Sequence, residues 1–250
     1  MQDVAVIIPA KDEADRIAAT VKAAQELPGA DLVIVIDDGS SDGTDRVARE
    51  AGARVVRHSR NRGKGAAMES GAEAVRLLDE GRDEPRHLLF LDADLAETAR
   101  EAAPLTEPVR SGDADMTIAV FTTTVKLGGH GFVVRLSRDG IRRATGWEAT
   151  APLNGQRCLT RAAFDAALPL AAGFGVETAL TIDLLRQGFR VAEVEVPLAH
   201  RATGTDLRAQ LHRARQFRDV ARALAAREPA TTRLARALTR SPDGLRGSRR

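Results

Sequence analysis

The chain has 250 residues, 43% hydrophobic, with a formal charge of +2, which fits one large globular domain with a sizeable core. No apolar stretch is long enough to span a bilayer, and the single cysteine, Cys158, excludes an internal disulfide. Arginine far outnumbers lysine and tyrosine is absent, a bias read as genomic composition, so nucleic acid is not an expected partner.

Met1-Gln2-Asp3-Val4 enters the first strand at once and leaves no room for a signal peptide, so a reducing, cytoplasmic setting is expected. Val4 to Ile8 is a β-branched-rich strand ended by Pro9 and Ala10, and Asp12 or Asp15 is placed to cap a helix running to about Leu27. Pro28-Gly29 breaks that helix. Leu32 to Ile36 reads as a second buried strand, followed by Asp37-Asp38-Gly39-Ser40-Ser41-Asp42-Gly43-Thr44 and a helix that Gly52 stops. Arg54 to Arg57 is a third strand, followed by Asn61-Arg62-Gly63-Lys64-Gly65 and a long helix to about Leu78. His87 to Leu91 is a continuous apolar run, hence a buried strand, and it ends in Asp92-Ala93-Asp94. This βαβαβαβ order predicts an α/β fold built on a mostly parallel, doubly wound sheet.

The second half is less regular. A strand is expected over Met116 to Val120, then the glycine-rich Gly128-Gly129-His130-Gly131, then an amphipathic helix over Phe132 to Thr145 with arginines on one side. Asn154 to Leu159 is expected as a strand, Glu177 to Gln187 as a helix opened by Gly173-Phe174-Gly175, and Phe189 to Val196 as a strand. Leu207, Leu211, Ala214, Phe217, Ala221 and Leu224 carry the spacing of a last helix. No linker divides the chain. It is read as one domain over residues 1–228, with a nucleotide-binding half (1–95) and an acceptor and sugar half (96–228). The basic tail 229–250 is expected to be disordered.

Three motifs sit where open α/β sheets bind ligands, at the C-terminal ends of strands. Asp92-Ala93-Asp94 places two carboxylates together, a donor set for a hard divalent cation that shares its other positions with water and phosphate oxygens. Asp37 and Asp38 allow two readings: a tight turn with Asp42 capping the next helix, or a clamp on a nucleoside through a carboxylate. Asn61-Arg62-Gly63-Lys64-Gly65 offers backbone amides, a helix N-terminus and the Lys64 charge to an anion. It lacks Walker spacing, and the first strand–helix turn lacks G-x-G-x-x-G, which argues against a nicotinamide cofactor. His200, just past a strand, is either an ordinary surface or core residue or a third metal ligand. Cys158 reads as a small core residue.

Taken in order, Val6-Ile7-Ile8-Pro9-Ala10-Lys11-Asp12-Glu13, Asp37-Asp38-Gly39-Ser40, Asn61-Arg62-Gly63-Lys64-Gly65 and Leu91-Asp92-Ala93-Asp94 resemble the GT-A nucleotide-sugar glycosyltransferases of the family-2 type. In the second half, Ala171-Ala172-Gly173-Phe174-Gly175-Val176-Glu177 and Pro152-Leu153-Asn154-Gly155-Gln156-Arg157 are similar to elements of the glucosyl-3-phosphoglycerate synthase group, with dolichyl-phosphate mannosyltransferases as more distant relatives.

The resemblance implies a GT-A, Rossmann-like fold and a metal-dependent glycosyltransferase. Pro9, Ala10 and Glu13 would border the nucleoside, Asp38 would meet the base, Lys64 the diphosphate, and Ser40 would belong to the nucleotide-sugar site. Asp92 would face the ribose or a metal-bound water, and Ala93 would belong to the nucleotide-sugar site. Asp94 and His200 would bind Mg²⁺ or Mn²⁺. Asn154 and Gly155 would line the sugar site, and Glu177 would be catalytic with Asp94. Gly129, His130 and Arg135 would meet the acceptor. Many inverting relatives carry Glu-Asp where this chain has Glu177-Thr178, so Glu177 is read either as a base or as an orienting group, and a retaining outcome stands beside an inverting one.

The expected partners are a nucleotide-diphosphate sugar, taken as UDP-linked, an acceptor that is a small phosphoglycerate-like anion or a lipid phosphate, and a second copy of the chain in a homodimer. The basic helix Phe132 to Thr145 would allow peripheral docking at the inner membrane surface. A nucleotidyltransferase is disfavoured because Pro9-Ala10-Lys11-Asp12-Glu13 replaces the Gly-rich basic loop such enzymes need. A non-catalytic nucleotide-sugar-binding protein is disfavoured by the intact Asp92, Asp94 and Lys64.

Overall fold

The computed structural model describes residues 3–122, 131–198 and 207–227, with residues 207–213 described by backbone alone. Gly129, His130, His200 and the tail lie outside the described residues. In chain order the first half runs β1 (Val4–Ala10), α1 (Ile17–Gln25), β2 (Ala30–Asp37), α2 (Thr44–Glu50), β3 (Arg54–Arg57), α3 (Lys64–Leu78) and β4 (His87–Phe90). After a 3₁₀ stretch over Ala96–Leu105 come α4 (Glu107–Arg110), β5 (Met116–Phe121), α5 (Gly131–Thr145), β6 (Arg157–Leu159) and α6 (Arg161–Ala166). A single 3₁₀ turn, Gly173–Gly175, then leads into α7 (Val176–Arg186), followed by β7 (Val191–Val196) and α8 (Leu207–Arg227).

The strands form a seven-stranded sheet in the order β3-β2-β1-β4-β6-β5-β7. Every neighbouring pair is parallel except the two made by β6, which runs antiparallel to β4 and β5. Side chains alternate between two packed layers, as the two-residue period of a strand requires. Val4, Val6 and Ile8 join the layer of α1 and the 3₁₀ stretch, whereas Ala5 and Ile7 join that of α3 and α7. Leu89 and Leu91 divide from Leu88 and Phe90 in the same way. Both faces are covered, which is why these strands read as continuous apolar runs. Each fully buried Ile, Leu or Phe contributes about 1.5–3 kcal/mol of transfer free energy.

Two local expectations change. Neither Asp12 nor Asp15 caps α1, which begins at Ile17 with no side-chain cap. Asp12 adopts φ 54°, and its Oδ1 accepts the Ser41 amide at 2.8 Å, so it ties the loop after β1 to the loop after β2. The strand expected from Asn154 shrinks to Arg157–Leu159, because Asn154 Oδ1 accepts the Gln156 amide at 2.9 Å and closes a turn. Cys158 is buried in the core, where burial pushes its thiol up to about 12.

Strand order reverses at β1. The chain steps outward through β2 and β3, then returns to place β4 on the other side of β1. The loops leaving β1, β2 and β4 therefore diverge around one crevice at the C-terminal edge of the sheet.

Candidate active site

That crevice is a cleft of about 390 Å³ walled by Pro9, Ala10 and Lys11 after β1, Asp38 after β2, Asn61, Gly63 and Lys64 at the start of α3, and Asp92 after β4. Gly173, Phe174 and Glu177 before and in α7, with Arg215 of α8, close the far side.

At one end, Asp38 is 5% exposed and its carboxylate is fixed from three sides. Oδ1 accepts from His58 Nδ1 at 2.7 Å and from the Arg62 amide at 2.7 Å, and Oδ2 accepts from the Gly63 amide at 2.8 Å. Burial works to raise the Asp38 pKa, but the imidazole and the two amides outweigh it and hold the group below the usual carboxylate range. The close approach of the loops depends on Gly39, at φ +73°, where a Cβ would lie 2.8 Å from the Arg60 carbonyl carbon. A side chain there would push the Arg60–Gly63 amides away from Asp38.

At the centre, Lys64 Nζ lies 2.7 Å from Asp92 Oδ1 and 3.2 Å from Glu177 Oε1. Its burial favours the neutral amine, yet the two carboxylates outweigh that and raise its pKa, so the ammonium is firmly charged. Asp92 Oδ2 accepts from Gln156 Nε2 at 2.9 Å, so the carboxylate is gripped from both edges. Glu177 sits in the first turn of α7, where the helix dipole favours a negative charge, and is 8% exposed. Gly155 packs directly on this pair: a Cβ there would collide with Lys64 Nζ and lie 3.1 Å from Asp92 Oδ1.

Beneath the centre, the fully buried Arg157 holds the wall in place. Its guanidinium donates to the carbonyls of Asn154 at 2.8 Å and Glu177 at 3.0 Å and to Thr181 Oγ1 at 2.9 Å. Burial lowers its pKa to about 10, with Glu177 and Glu193 opposing the shift.

Of the residues expected at the site, Pro9, Ala10, Asp38, Lys64, Asp92 and Glu177 line the cleft together, with Gly155 against Lys64. Asn154 supports the wall, donating from Nδ2 to the Ala119 carbonyl at 2.7 Å. Ser40 is buried and its hydroxyl accepts the Asp12 amide at 2.9 Å, while Glu13 donates its amide to Thr44 Oγ1 at 2.9 Å; both shape the loops and do not line the cleft. Ala93 is buried, and its carbonyl accepts from Thr20 Oγ1 at 2.8 Å. Asp94 is half-buried on the turn after β4, its carbonyl accepting from Arg16 at 3.0 Å. Arg135 lies apart on α5, its guanidinium 5.3 Å from the ring centroid of Phe132.

The basic face expected of α5 is partly consumed within the fold. Arg138 donates to the carbonyls of Ala149 and Thr150 at 2.9 and 3.1 Å, and Arg142 lies 3.7 Å from Asp139. Sequence reasoning missed Lys11, His58 and Arg215, and it gave Gln156 and Arg157 no individual roles. Arg215 is exposed at the cleft, and among the described residues no carboxylate pairs with it.

The sheet order and its crevice define an α/β protein with a polar cleft at the β1/β4 switch point. The profile of the family described as Glycosyl transferase family 2 matches residues 5–164, and the chain belongs to that family. Its fold is of the GT-A type. It is 31% identical over 210 residues to glycosyltransferase AglJ of Haloferax volcanii, covering 81% of this chain and 65% of that relative. It is 29% identical over 197 residues to glucosyl-3-phosphoglycerate synthase of Mycolicibacterium paratuberculosis, covering 72% of this chain and 59% of that protein. The chain thus spans about three-fifths of these relatives' lengths. Among solved structures, glucosyl-3-phosphoglycerate synthase of Mycobacterium tuberculosis in complex with Mn²⁺, UDP and phosphoglyceric acid superposes with a TM-score of 0.72 at 25% identity, covering 90% of this chain and 78% of that one. The same enzyme with Mg²⁺ and UDP gives 0.70 at 26% identity, covering 90% and 79%.

Proposed function

We propose that this chain transfers a sugar from a UDP-linked donor to a small anionic acceptor of the phosphoglycerate type, with a divalent cation at the diphosphate. The observation that carries the reading is the convergence on one cleft of Asp38 after β2, Asp92 after β4 and Lys64 at the start of α3. Support comes from the Mycobacterium tuberculosis enzyme, whose complexes hold Mn²⁺ or Mg²⁺, UDP or UDP-glucose, and phosphoglyceric acid.

Asp92 and Asp94, close together after β4, would supply carboxylate oxygens of the kind that suits Mg²⁺ or Mn²⁺. Asp92 is already committed to Lys64 and Gln156, so Asp94 would hold the cation, with His200 as its partner. When bound, the cation neutralises charge on the leaving diphosphate.

The protein's own groups do the rest. Asp38 accepts a hydrogen bond from the base. Lys64 turns its ammonium from the carboxylates to the diphosphate, where negative charge grows as the anomeric C–O bond breaks and the sugar gains oxocarbenium character. Asp92, held by Gln156, faces the ribose. The Lys64 ammonium 3.2 Å away competes for the Glu177 carboxylate, so Glu177 is assigned to orienting a sugar or acceptor hydroxyl. Orientation of donor and acceptor in one cleft supplies much of the rate.

Calorimetry with UDP, GDP and ADP, with and without Mn²⁺, tests the donor half, and release of UDP from UDP-glucose with and without 3-phosphoglycerate tests the acceptor half. Metal-dependent UDP binding and acceptor-stimulated release are expected. No metal-dependent binding of any nucleotide would refute the reading.

One observation favours a second acceptor class. Phe132 is 76% exposed beside Arg135 on α5, an apolar and cationic pair suited to a lipid phosphate at a membrane surface. No helix among the described residues is long and apolar enough to cross a membrane. Co-sedimentation with anionic but not neutral vesicles, lost in Phe132→Ser, would favour this acceptor over a free one.

A further inference from the structure

His58 lies outside the cleft, yet it is the only side chain among the described residues that donates to Asp38. It follows β3 and is 7% exposed. Its Nδ1 is 2.7 Å from Asp38 Oδ1, its Nε2 is 2.9 Å from Ser70 Oγ on α3, and its backbone amide donates to the Asp37 carbonyl at 2.9 Å. An ionised carboxylate only accepts, so the network assigns the proton to Nδ1, and in the neutral ring Nε2 accepts from the Ser70 hydroxyl. The ring thereby joins the end of β3, the loop after β2 and the body of α3.

The consequence for Asp38 follows from counting acceptor sites. A carboxylate offers roughly four lone-pair positions. His58 and the Arg62 amide occupy Oδ1, and the Gly63 amide occupies one side of Oδ2. One acceptor position on Oδ2 remains, fixed in direction, on a residue that lines the cleft. A fixed acceptor suits a base with a ring N–H, as in uracil N3–H. Cytosine presents a ring nitrogen acceptor at that point, and its amino group is displaced to one side. A carboxylate free to swing could follow that amino group; one clamped from three sides cannot.

We infer that His58, held by Ser70, is a positioning residue that locks the Asp38 carboxylate and so sets the selectivity of the cleft for uracil-type over cytosine-type nucleoside diphosphates. The inference rests on the donor reading given above. Asp38 stays ionised below the ordinary carboxylate range, which keeps it an acceptor throughout.

The test is calorimetry of UDP and CDP with Mn²⁺ on the full chain, for wild type, His58→Ala, His58→Asn and Ser70→Ala, with turnover at saturating donor alongside. Wild type is expected to prefer UDP. His58→Ala should narrow the UDP:CDP ratio by roughly tenfold, chiefly by weakening UDP, with turnover at saturating donor retained. His58→Asn should restore most of the ratio, because its amide N–H replaces Nδ1–H. A His58→Ala ratio equal to wild type, or equal weakening of both nucleotides, would overturn the inference and leave the donor reading standing. If His58→Ala does not fold, Ser70→Ala decides: it should narrow the ratio by roughly two- to threefold, and an unchanged ratio overturns the inference. A wild type that binds neither nucleotide overturns both readings, and one that prefers CDP overturns this one.

Discussion

Replacing Lys64 with Met should destabilise the protein and expose the cleft's internal repulsion. Lys64 Nζ stands 2.7 Å from Asp92 and 3.2 Å from Glu177, and the three side chains are 30%, 28% and 10% exposed. Without the ammonium, the two carboxylate oxygens face each other across no more than about 6 Å, a repulsion of about 3 kcal/mol at an effective dielectric of ~20. Rotation of Asp92 and partial solvent access reduce this, so a net loss of about 2 kcal/mol is expected. For a chain of this size that lowers Tm by roughly 4–8 °C. The folded state raises the Lys64 pKa, so its contribution is full below the ordinary lysine value of about 10.4 and is lost only as pH climbs past the folded value. The deficit should therefore hold at neutral pH. It should shrink below about pH 5, where a carboxylate of the variant can take up a proton. Differential scanning calorimetry of wild type, Lys64→Met and Lys64→Met/Glu177→Gln checks it, and the double variant should recover more than about half the loss. A Lys64→Met Tm within about 1 °C of wild type at pH 7, or no recovery in the double variant, would refute the electrostatic account.

Asp94→Ala should abolish Mn²⁺-dependent turnover with the far-UV spectrum unchanged, and wild-type rates in that variant would sink the metal assignment. Arg215→Ala should weaken UDP binding about fivefold at low salt and less at high salt, because its charge is exposed and screened; titrations at two ionic strengths measure it. Glu177→Gln should tighten UDP a few-fold while lowering turnover, since Glu177 and the diphosphate compete for the same ammonium; weaker UDP binding would count against that competition.

The first half of the fold was legible because β1, β2 and β4 are packed on both faces and read as apolar runs, and because Gly43 and Gly63 stand directly before α2 and α3, so period and punctuation agree there. The grouping of the cleft residues was legible for a related reason: Asp38 and Asp92 follow their strands within two residues and Lys64 opens the helix after β3, and strand ends of a parallel sheet meet at one edge. Where function depends on contacts across the fold, the chain order holds no signal. His58 sits 20 residues from Asp38 and Arg157 sits 20 from the Glu177 carbonyl, and neither spacing follows a helix or strand period. Ser40 makes the same point within a motif: it lies two residues from Asp38, but its hydroxyl accepts the Asp12 amide from the loop after β1, a contact that chain order does not announce.

The cleft's charges explain why the centre is built as it is. Lys11, Lys64 and Arg215 face Asp38, Asp92 and Glu177 across it, so the site is balanced before any donor enters. Lys11 lies 3.2 Å from Asp12 and Asp38 is committed to His58 and two amides, which leaves Lys64 and Arg215 as the charges able to meet a diphosphate. Lys64 can do so only by loosening its hold on Asp92 or Glu177, and each carboxylate then needs another partner. Gln156 already holds the far oxygen of Asp92, so that carboxylate keeps its place when the ammonium moves. Glu177 has its backbone carbonyl tied to Arg157, and a sugar or acceptor hydroxyl can take the place of the ammonium at its side chain. In the proposed reading, donor entry would release Glu177 from Lys64 to a sugar or acceptor hydroxyl while Gln156 keeps Asp92 in place, which would couple the filling of the diphosphate site to the orientation of the reacting group.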